Sequence, residues 1–249
     1  MSITIWQRPS LWVNDHRSVS PELIRPLRAA GYRVLRLHLN PGMEDWTEPT
    51  YAKLAEYRAD GWLVHGVLYL YPAEMSPERW AEHAARFVSR LGLQGFAFNG
   101  EKEVEDADFA TEGKWSRDFT ARWRILRPTL PSCLNTYPGL AIFPAWEQAK
   151  FRLYLQAHKD PDAIYPPWQN VIEWAKLRGW KNAATVKAQV GCFKNDEGER
   201  PSTEAVVAAI AAPAKKPVGI DVYPGDSCMD DVAWLERQAR QAIASGVAR

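Results

Sequence analysis

The strongest constraint on this chain is an alternation. Short runs of β-branched and other apolar residues trade places with amphipathic helical patterns about eight times in 249 residues, with Pro or Gly at nearly every junction. The first strand is expected near Ile3–Trp6, extended by Leu11–Val13, and a helix follows from Ser20-Pro21-Glu22 to Gly31. Strands two to eight are expected at Arg33–Leu39, Leu63–Tyr71, Gly95–Phe98, Cys133–Tyr137, Arg152–Ala157, Thr185–Phe193 and Val218–Tyr223. Between and after them the pattern predicts helices over about Pro49–Asp60, from Ser76-Pro77-Glu78 to near Gly92, and over Trp115–Leu126. A short helix near Trp146–Ala149, one over Trp168–Arg178, an Ala-rich one after Pro201 and a last one from Asp230 towards Ala244 complete the series. The stretch after strand four is expected to be a long acidic loop. Parallel strands need helical crossovers, and closing the sheet removes both edges. The chain therefore reads as α/β, a single (β/α)8 TIM barrel over residues 1–249, a fold whose usual size is roughly 250 residues. A doubly wound open sheet is the alternative, and no Gly- or Ser-rich linker marks a second domain.

In such a barrel successive strand residues point alternately to the helices and to the barrel interior. Strand two sends Leu35, Leu37 and Leu39 outward and Arg36, His38 and Asn40 inward. By the same rule His65, Val67, Tyr69 and Tyr71 point inward from strand three, and Gly95, Ala97, Asn99 and Glu101 from strand four. Later strands contribute Asn135 and Tyr137, then Arg152, Tyr154, Gln156 and His158, then Lys187 and Gln189, and finally Asp221 and Tyr223. Burying so many polar groups unpaired costs a few kcal/mol each, so a ligand site at the barrel mouth accounts for them together. The competing reading is an interior whose polar groups satisfy one another.

Charge narrows the ligand. With 31 basic and 30 acidic residues there is no global field to gather nucleic acid or an anionic membrane, and neither is expected as a partner. Cys133, Cys192 and Cys228 are odd in number and far apart, which indicates neither a disulfide framework nor a CxxC metal site. The start of the sequence has no signal-peptide pattern and no apolar run reaches the roughly 18 residues of a membrane span, so synthesis in the cytoplasm is expected.

Only two inward carboxylates appear, Glu101 and Asp221. Glycoside hydrolysis needs two, one to protonate the leaving oxygen and one to act as nucleophile or base. The acidic stretch Glu103–Asp108 is expected to lift Glu101, and a nearby lysine or arginine to lower Asp221. That stretch does not have EF-hand spacing and reads as a solvated charge run. Inward His38, His65 and His158 raise a metal-hydrolase alternative, but the first strand lacks an HxH pair, so no metal and no cofactor are expected and the histidines are assigned to substrate. The chain holds 12 tryptophans. Trp62, Trp80, Trp123, Trp174, Trp180 and Trp234 fall in or before packing elements, whereas Trp12, Trp46, Trp115, Trp146 and Trp168 fall near loops after strands, where sugar rings could stack. No Gly-rich phosphate loop or GxSxG elbow is present.

The segment Gly95-Phe-Ala-Phe-Asn-Gly-Glu-Lys-Glu103 resembles the strand-four "hydrophobic-N-x-E" signature of phage and bacterial β/α-barrel glycosidase-like proteins, which are distantly similar to the family 25 lysozymes. Leu134-Asn-Thr-Tyr-Pro138, Phe143-Pro-Ala-Trp146 and Ile220-Asp-Val-Tyr223 extend the resemblance over most of the chain from Gly95 onward. The resemblance implies that Glu101 is the catalytic glutamate and Asp221 a strand-eight aspartate, while Asn99 stands where the lysozymes usually carry an aspartate and no aspartate lies in Ile3–Trp6.

The sequence thus points to a glycoside-hydrolase-like barrel acting on peptidoglycan or another cell-surface polysaccharide. Glu101 would be the general acid and Asp221 the second carboxylate. Asn99, Arg36, His38, His65, Tyr69, Asn135, Tyr137, Gln156, His158, Gln189, Tyr223, Trp46 and Trp168 would bind substrate. The contrasting expectation, favoured by Asn99, is a non-catalytic structural or carbohydrate-binding module of a phage virion, contacting other virion proteins.

Overall fold

The computed structural model describes residues 7–17, 19–40, 49–137, 140–156, 171–191, 202–211, 219–223 and 231–248, and the side chains of residues 204, 205, 209, 210, 221 and 223 are not among those described. Its strands are β1 (Ser10–Val13), β2 (Val34–His38), β3 (Leu63–Tyr69), β4 (Gly95–Asn99), β5 (Ser132–Thr136), β6 (Arg152–Gln156), β7 (Val186–Gly191) and β8 (Ile220–Tyr223). Each pairs in parallel with its sequence neighbour, and β1 pairs with β8 through Ser10↔Asp221 and Leu11↔Val222, so the sheet closes. The expectation of an α/β barrel holds. The strand that closes it is Ser10–Val13, whereas Ile3–Trp6 lies outside the described residues.

The helices are α1 (Pro21–Ala30), α2 (Tyr51–Ala59), α3 (Pro77–Leu91), α4 (Lys102–Ala110), α5 (Lys114–Leu126), α6 (Pro144–Gln148), α7 (Val171–Leu177), α8 (Thr203–Ala211) and α9 (Val232–Ala244). Local chemistry sets their ends. Ser20 and Ser76 accept hydrogen bonds from the backbone N–H groups of Leu23 and Arg79, and a proline occupies the first turn of α1 and of α3. Both helices stop at a left-handed glycine, Gly31 (φ 118°) and Gly92 (φ 60°), a conformation that a Cβ would strain.

Alternation along the strands sorts the core into two layers. Leu35, Leu37, Leu153, Leu155, Val186, Ala188, Val190, Ile220 and Val222 pack outward against the helices, while Trp12, Val67, Ala97, Cys133 and Tyr154 form a separate cluster inside the barrel. Trp115 and Trp146, expected on the ligand face, belong instead to an aromatic cluster between the sheet and α5 and α6. Trp115 stacks on Phe119 at 5.5 Å, and Trp146 meets Phe119 at 5.2 Å and Phe151 at 5.0 Å. The Trp146 indole donates to Ser116 Oγ at 2.7 Å, which satisfies its one polar atom inside the core. Trp12 is buried inside the barrel, and Trp46 and Trp168 lie outside the described residues.

The expected acidic loop after strand four is largely helical. In α4 Glu103 and Glu105 occupy the first turn, where the helix dipole favours carboxylates, and Lys102 bridges Glu105 at 2.8 Å and Asp106 at 2.6 Å. Nor is the whole run solvated. Asp108 is buried and accepts from the Ser116 backbone N–H at 2.8 Å and from its hydroxyl, tying α4 to α5. Burial pushes the Asp108 carboxyl up, and those Ser116 bonds oppose the rise.

Candidate active site

β4 delivers Glu101 to the C-terminal rim of the barrel. The strand ladder continues one residue past β4, with Gly100 N–H donating to Asn135 O at 3.0 Å, and a Cβ on Gly100 would lie 2.9 Å from Leu134 Cδ1. Glu101 follows directly, half-buried, at the N-terminal boundary of α4.

The carboxyl sits at the end of an amide relay. Asn135 Nδ2 donates to Asn99 Oδ1 at 2.7 Å, and Asn99 Nδ2 donates to Glu101 Oε1 at 2.8 Å. Gln156 Nε2 reaches both acceptors, Glu101 Oε1 at 3.3 Å and Asn99 Oδ1 at 3.4 Å. Because Asn99 Oδ1 already takes N–H groups from β5 and β6, the Asn99 amide has one consistent orientation, with its NH2 towards Glu101. Tyr69 adds a side-chain hydrogen bond to the same carboxyl. Burial raises the Glu101 pKa above the usual glutamate value, the donors from Tyr69, Gln156 and Asn99 pull it back, and Glu103 adds a smaller upward push. The acidic stretch thus lifts Glu101 through Glu103, but burial is the larger cause.

One wall of the mouth is aromatic. His38, Tyr69 and Tyr71 stack in sequence, His38 on Tyr69 at 5.6 Å and 23° and Tyr69 on Tyr71 at 5.4 Å and 14°, and Trp12 meets the His38 ring edge-on at 5.6 Å. Asn14 Oδ1 lies 2.9 Å from Trp12 Nε1 and 3.3 Å from His38 Nδ1. Burial lowers the His38 pKa to about 3, so the ring is neutral, and the Asn14 contact selects the tautomer with hydrogen on Nδ1. Asn14 escaped the sequence reading, because its only signal is its place two residues beyond Trp12, just past the end of β1.

Two of the expected ligand residues lie deeper. Arg36 and His65 precede His38 by two positions and Tyr69 by four on their strands. The Arg36 guanidinium lies 3.7 Å from the centroid of the Tyr154 ring and donates to Cys133 Sγ at 3.3 Å. Lys187 Nζ sits 5.4 Å from the same ring and donates to Arg8 O at 2.8 Å and Ser10 Oγ at 3.3 Å. The His65 ring occupies the space that a Cβ on Gly95 would need, at 2.4 Å. Burial, with Arg36 and Lys187 adding to it, holds His65 well below its usual pKa.

Tyr137 follows β5 directly and is half-buried, and Gln189 is buried on β7. On β8 Asp221 is in register with Ser10 and Gln189, and Tyr223 with Gly191. His158, like Trp46 and Trp168, falls outside the described residues. Among the described residues no group of three or more His, Cys, Asp or Glu side chains could hold a metal, and no helix is long and apolar enough to cross a membrane.

No protein-family model matches this sequence, and no curated protein matches it. Solved structures do. An endo-β-N-acetylglucosaminidase from Cordyceps militaris superposes with a TM-score of 0.64 at 12% identity over 94% of this chain and 90% of its own. A chitinase from Cycas revoluta in complex with (GlcNAc)3 gives 0.64 at 10% identity over 95% and 99%. Active domain 2 of a thermostable chitinase from Pyrococcus furiosus, complexed with chito-oligosaccharides, gives 0.63 at 14% over 89% and 84%. A sugar phosphate isomerase/epimerase is also among the matches. At these identities the likeness is one of fold: the chain is an α/β barrel of the kind on which glycoside hydrolases are built.

Proposed function

We propose that this chain is a single-domain (β/α)8 glycoside-hydrolase-like protein, residues 1–249, that acts on peptidoglycan or another cell-surface polysaccharide. One observation carries the reading: a half-buried carboxyl at the C-terminal rim, lifted by burial and held at Oε1 by two amide donors. A carboxyl in that state holds its proton to higher pH than an ordinary glutamate and can release it to a leaving group. In the reaction Glu101 gives its proton to the glycosidic oxygen as the bond from that oxygen to the anomeric carbon breaks. The resulting carboxylate is then met by the Tyr69, Asn99 and Gln156 donors. Asp221, on β8 in register with Gln189, is assigned as the second carboxylate, as nucleophile or as base for water. The stacked His38, Tyr69 and Tyr71 rings give the sugar an apolar wall, and Asn135, Tyr137, Gln189 and Tyr223 are assigned to hold its polar groups. Two structural relatives are described with chito-oligosaccharide or (GlcNAc)3 bound, and peptidoglycan shares the N-acetylhexosamine unit of those ligands.

A second reading has its own observation. Asn99, locked as a donor, replaces the carboxylate that the resembling lysozymes carry, which suits a virion module that grips polysaccharide without cutting it. Turnover of purified peptidoglycan and of chito-oligosaccharides by the wild type and by Glu101→Gln separates the two. Hydrolysis that falls on the order of 10²- to 10⁴-fold in the variant, with binding retained, supports the acid role. Equal rates in both proteins remove Glu101 from the mechanism, and binding without turnover by the wild type favours the module.

A further inference from the structure

β2 ends at His38, while β3 continues to Tyr69. The main-chain ladder between them reaches Leu39 N–H, which donates to Val67 O at 2.9 Å. Tyr69 is the next β3 residue whose N–H and C=O face β2. The Asn40 side chain takes the place of the missing strand: its Nδ2 donates to Tyr69 O at 3.0 Å, and its Oδ1 accepts from Tyr69 N–H at 2.8 Å. Asn40 is buried, so this two-point clamp works without competition from water. The Tyr69 ring is fixed from both sides, between a neutral His38 and Tyr71, and its hydroxyl hydrogen-bonds Glu101.

We infer that Asn40 is a positioning residue of the acid site, fixing the backbone of Tyr69 so that the Tyr69 hydroxyl is presented to the Glu101 carboxyl. The inference rests on reading Glu101 as the acid. It assigns a role to a residue that touches neither Glu101 nor, by this reading, the sugar. Burial and the neighbouring carboxylates Glu101, Glu103 and Glu74 keep the Tyr69 and Tyr71 phenols protonated, so Tyr69 acts as a donor throughout the working range. The groups facing Glu101 are Tyr69 from β3, Asn99 from β4, Glu103 from α4 and Gln156 from β6, and the half-buried Tyr137 faces Tyr69. Of these only Tyr69 is bonded by Asn40.

The test is a double-mutant cycle read on Glu101 itself, by carboxyl ¹³C NMR titration of the full chain, which needs no turnover. Tyr69→Phe deletes a donor to the carboxylate and is expected to move the Glu101 midpoint up by about one pH unit. Asn40→Ala is expected to move it in the same direction by a smaller amount, and to add nothing in the Tyr69→Phe background. The alkaline limb of kcat/KM, where the acid loses its proton, should follow the same pattern. Where Asn40→Ala does not fold, Asn40→Ser, a smaller polar replacement without the two-point amide, runs the same cycle. An unchanged midpoint in the folded Asn40 variant, or a shift that survives in the Tyr69→Phe background, overturns the inference. A cycle that holds in a protein without hydrolytic activity keeps the positioning role and rejects the hydrolase reading instead.

Discussion

The mouth and the floor of this barrel are both polar and both largely buried, yet they are organised in opposite ways. At the mouth a single carboxyl gathers donors from three strands, and the hydrogens of Asn135, Asn99 and Gln156 all run towards it. On the floor two cations, Arg36 and Lys187, lie against the face of one tyrosine and spend their donors on a thiol, a hydroxyl and a carbonyl. Cation–π contacts of this desolvated kind are worth about 2 kcal/mol each. The floor turns its charges onto a ring and onto neutral acceptors, whereas the mouth is arranged around a group whose charge can change. The layer in which a titratable group is the common acceptor is therefore the better candidate for a ligand site.

That contrast can be broken experimentally. The largest effect is expected from Glu101→Gln, the loss of turnover described above, with the fold intact by circular dichroism. On the floor the loss should be one of stability: Gly95→Ala drives a Cβ into the buried His65 ring and should cost about 2 kcal/mol in urea unfolding, while the Glu101 midpoint stays in place. A Gly95→Ala protein as stable as wild type would show the floor to be loosely packed. At the mouth Asn99→Asp replaces the donor 2.8 Å from Glu101 Oε1 by a second carboxylate. Like charges so close should raise the Glu101 midpoint by about one pH unit or more, visible as an upward move of the alkaline limb of kcat/KM, and no move would mean that Asn99 does not set the charge state of the acid.

The smallest effect concerns stability against pH. The native Glu101 pKa is raised above its unfolded value of 4.5, so the proton-linked stabilisation is full below that value and is lost as pH rises through the native midpoint. Glu101→Gln cannot ionise. Its melting temperature should run parallel to wild type below pH 4.5, gain on it between 4.5 and the native midpoint and run parallel again above, and a constant gap throughout would place Glu101 at its ordinary pKa.

Much of this barrel is legible in the residues, for reasons that differ between elements. Ser20 with Gly31 and Ser76 with Gly92 bracket helices with chemistry that acts locally, so no tertiary contact was needed to find them. The strand alternation sorted inside from outside because the helix-facing positions had to be apolar. Of the expected first strand the described part, Leu11–Val13, lies in β1; its bounds were hard to read because four residues after a proline carry little periodicity. α4 was hidden because dipole-favoured acids and lysine pairs hold it rather than a broad apolar face. Trp115 and Trp146 are placed by the shape of an aromatic cluster that no spacing encodes. Within the site Glu101, Asn99, Asn135, Gln156 and Tyr69 followed from strand parity, whereas Asn14 depended on where β1 lies and the clamp by Asn40 on where β2 stops.

Cys133 is fully buried inside the barrel, its sulfur between the Arg36 guanidinium and the carbonyl of Phe96. A thiol enclosed by parallel strands can be reached by an alkylating reagent only when those strands part, so its labelling rate is a clock for the opening of the closed sheet. Followed by peptide mass spectrometry at that one position, the clock would separate variants that slow the chemistry from variants that loosen the barrel, in a single sample and without a substrate.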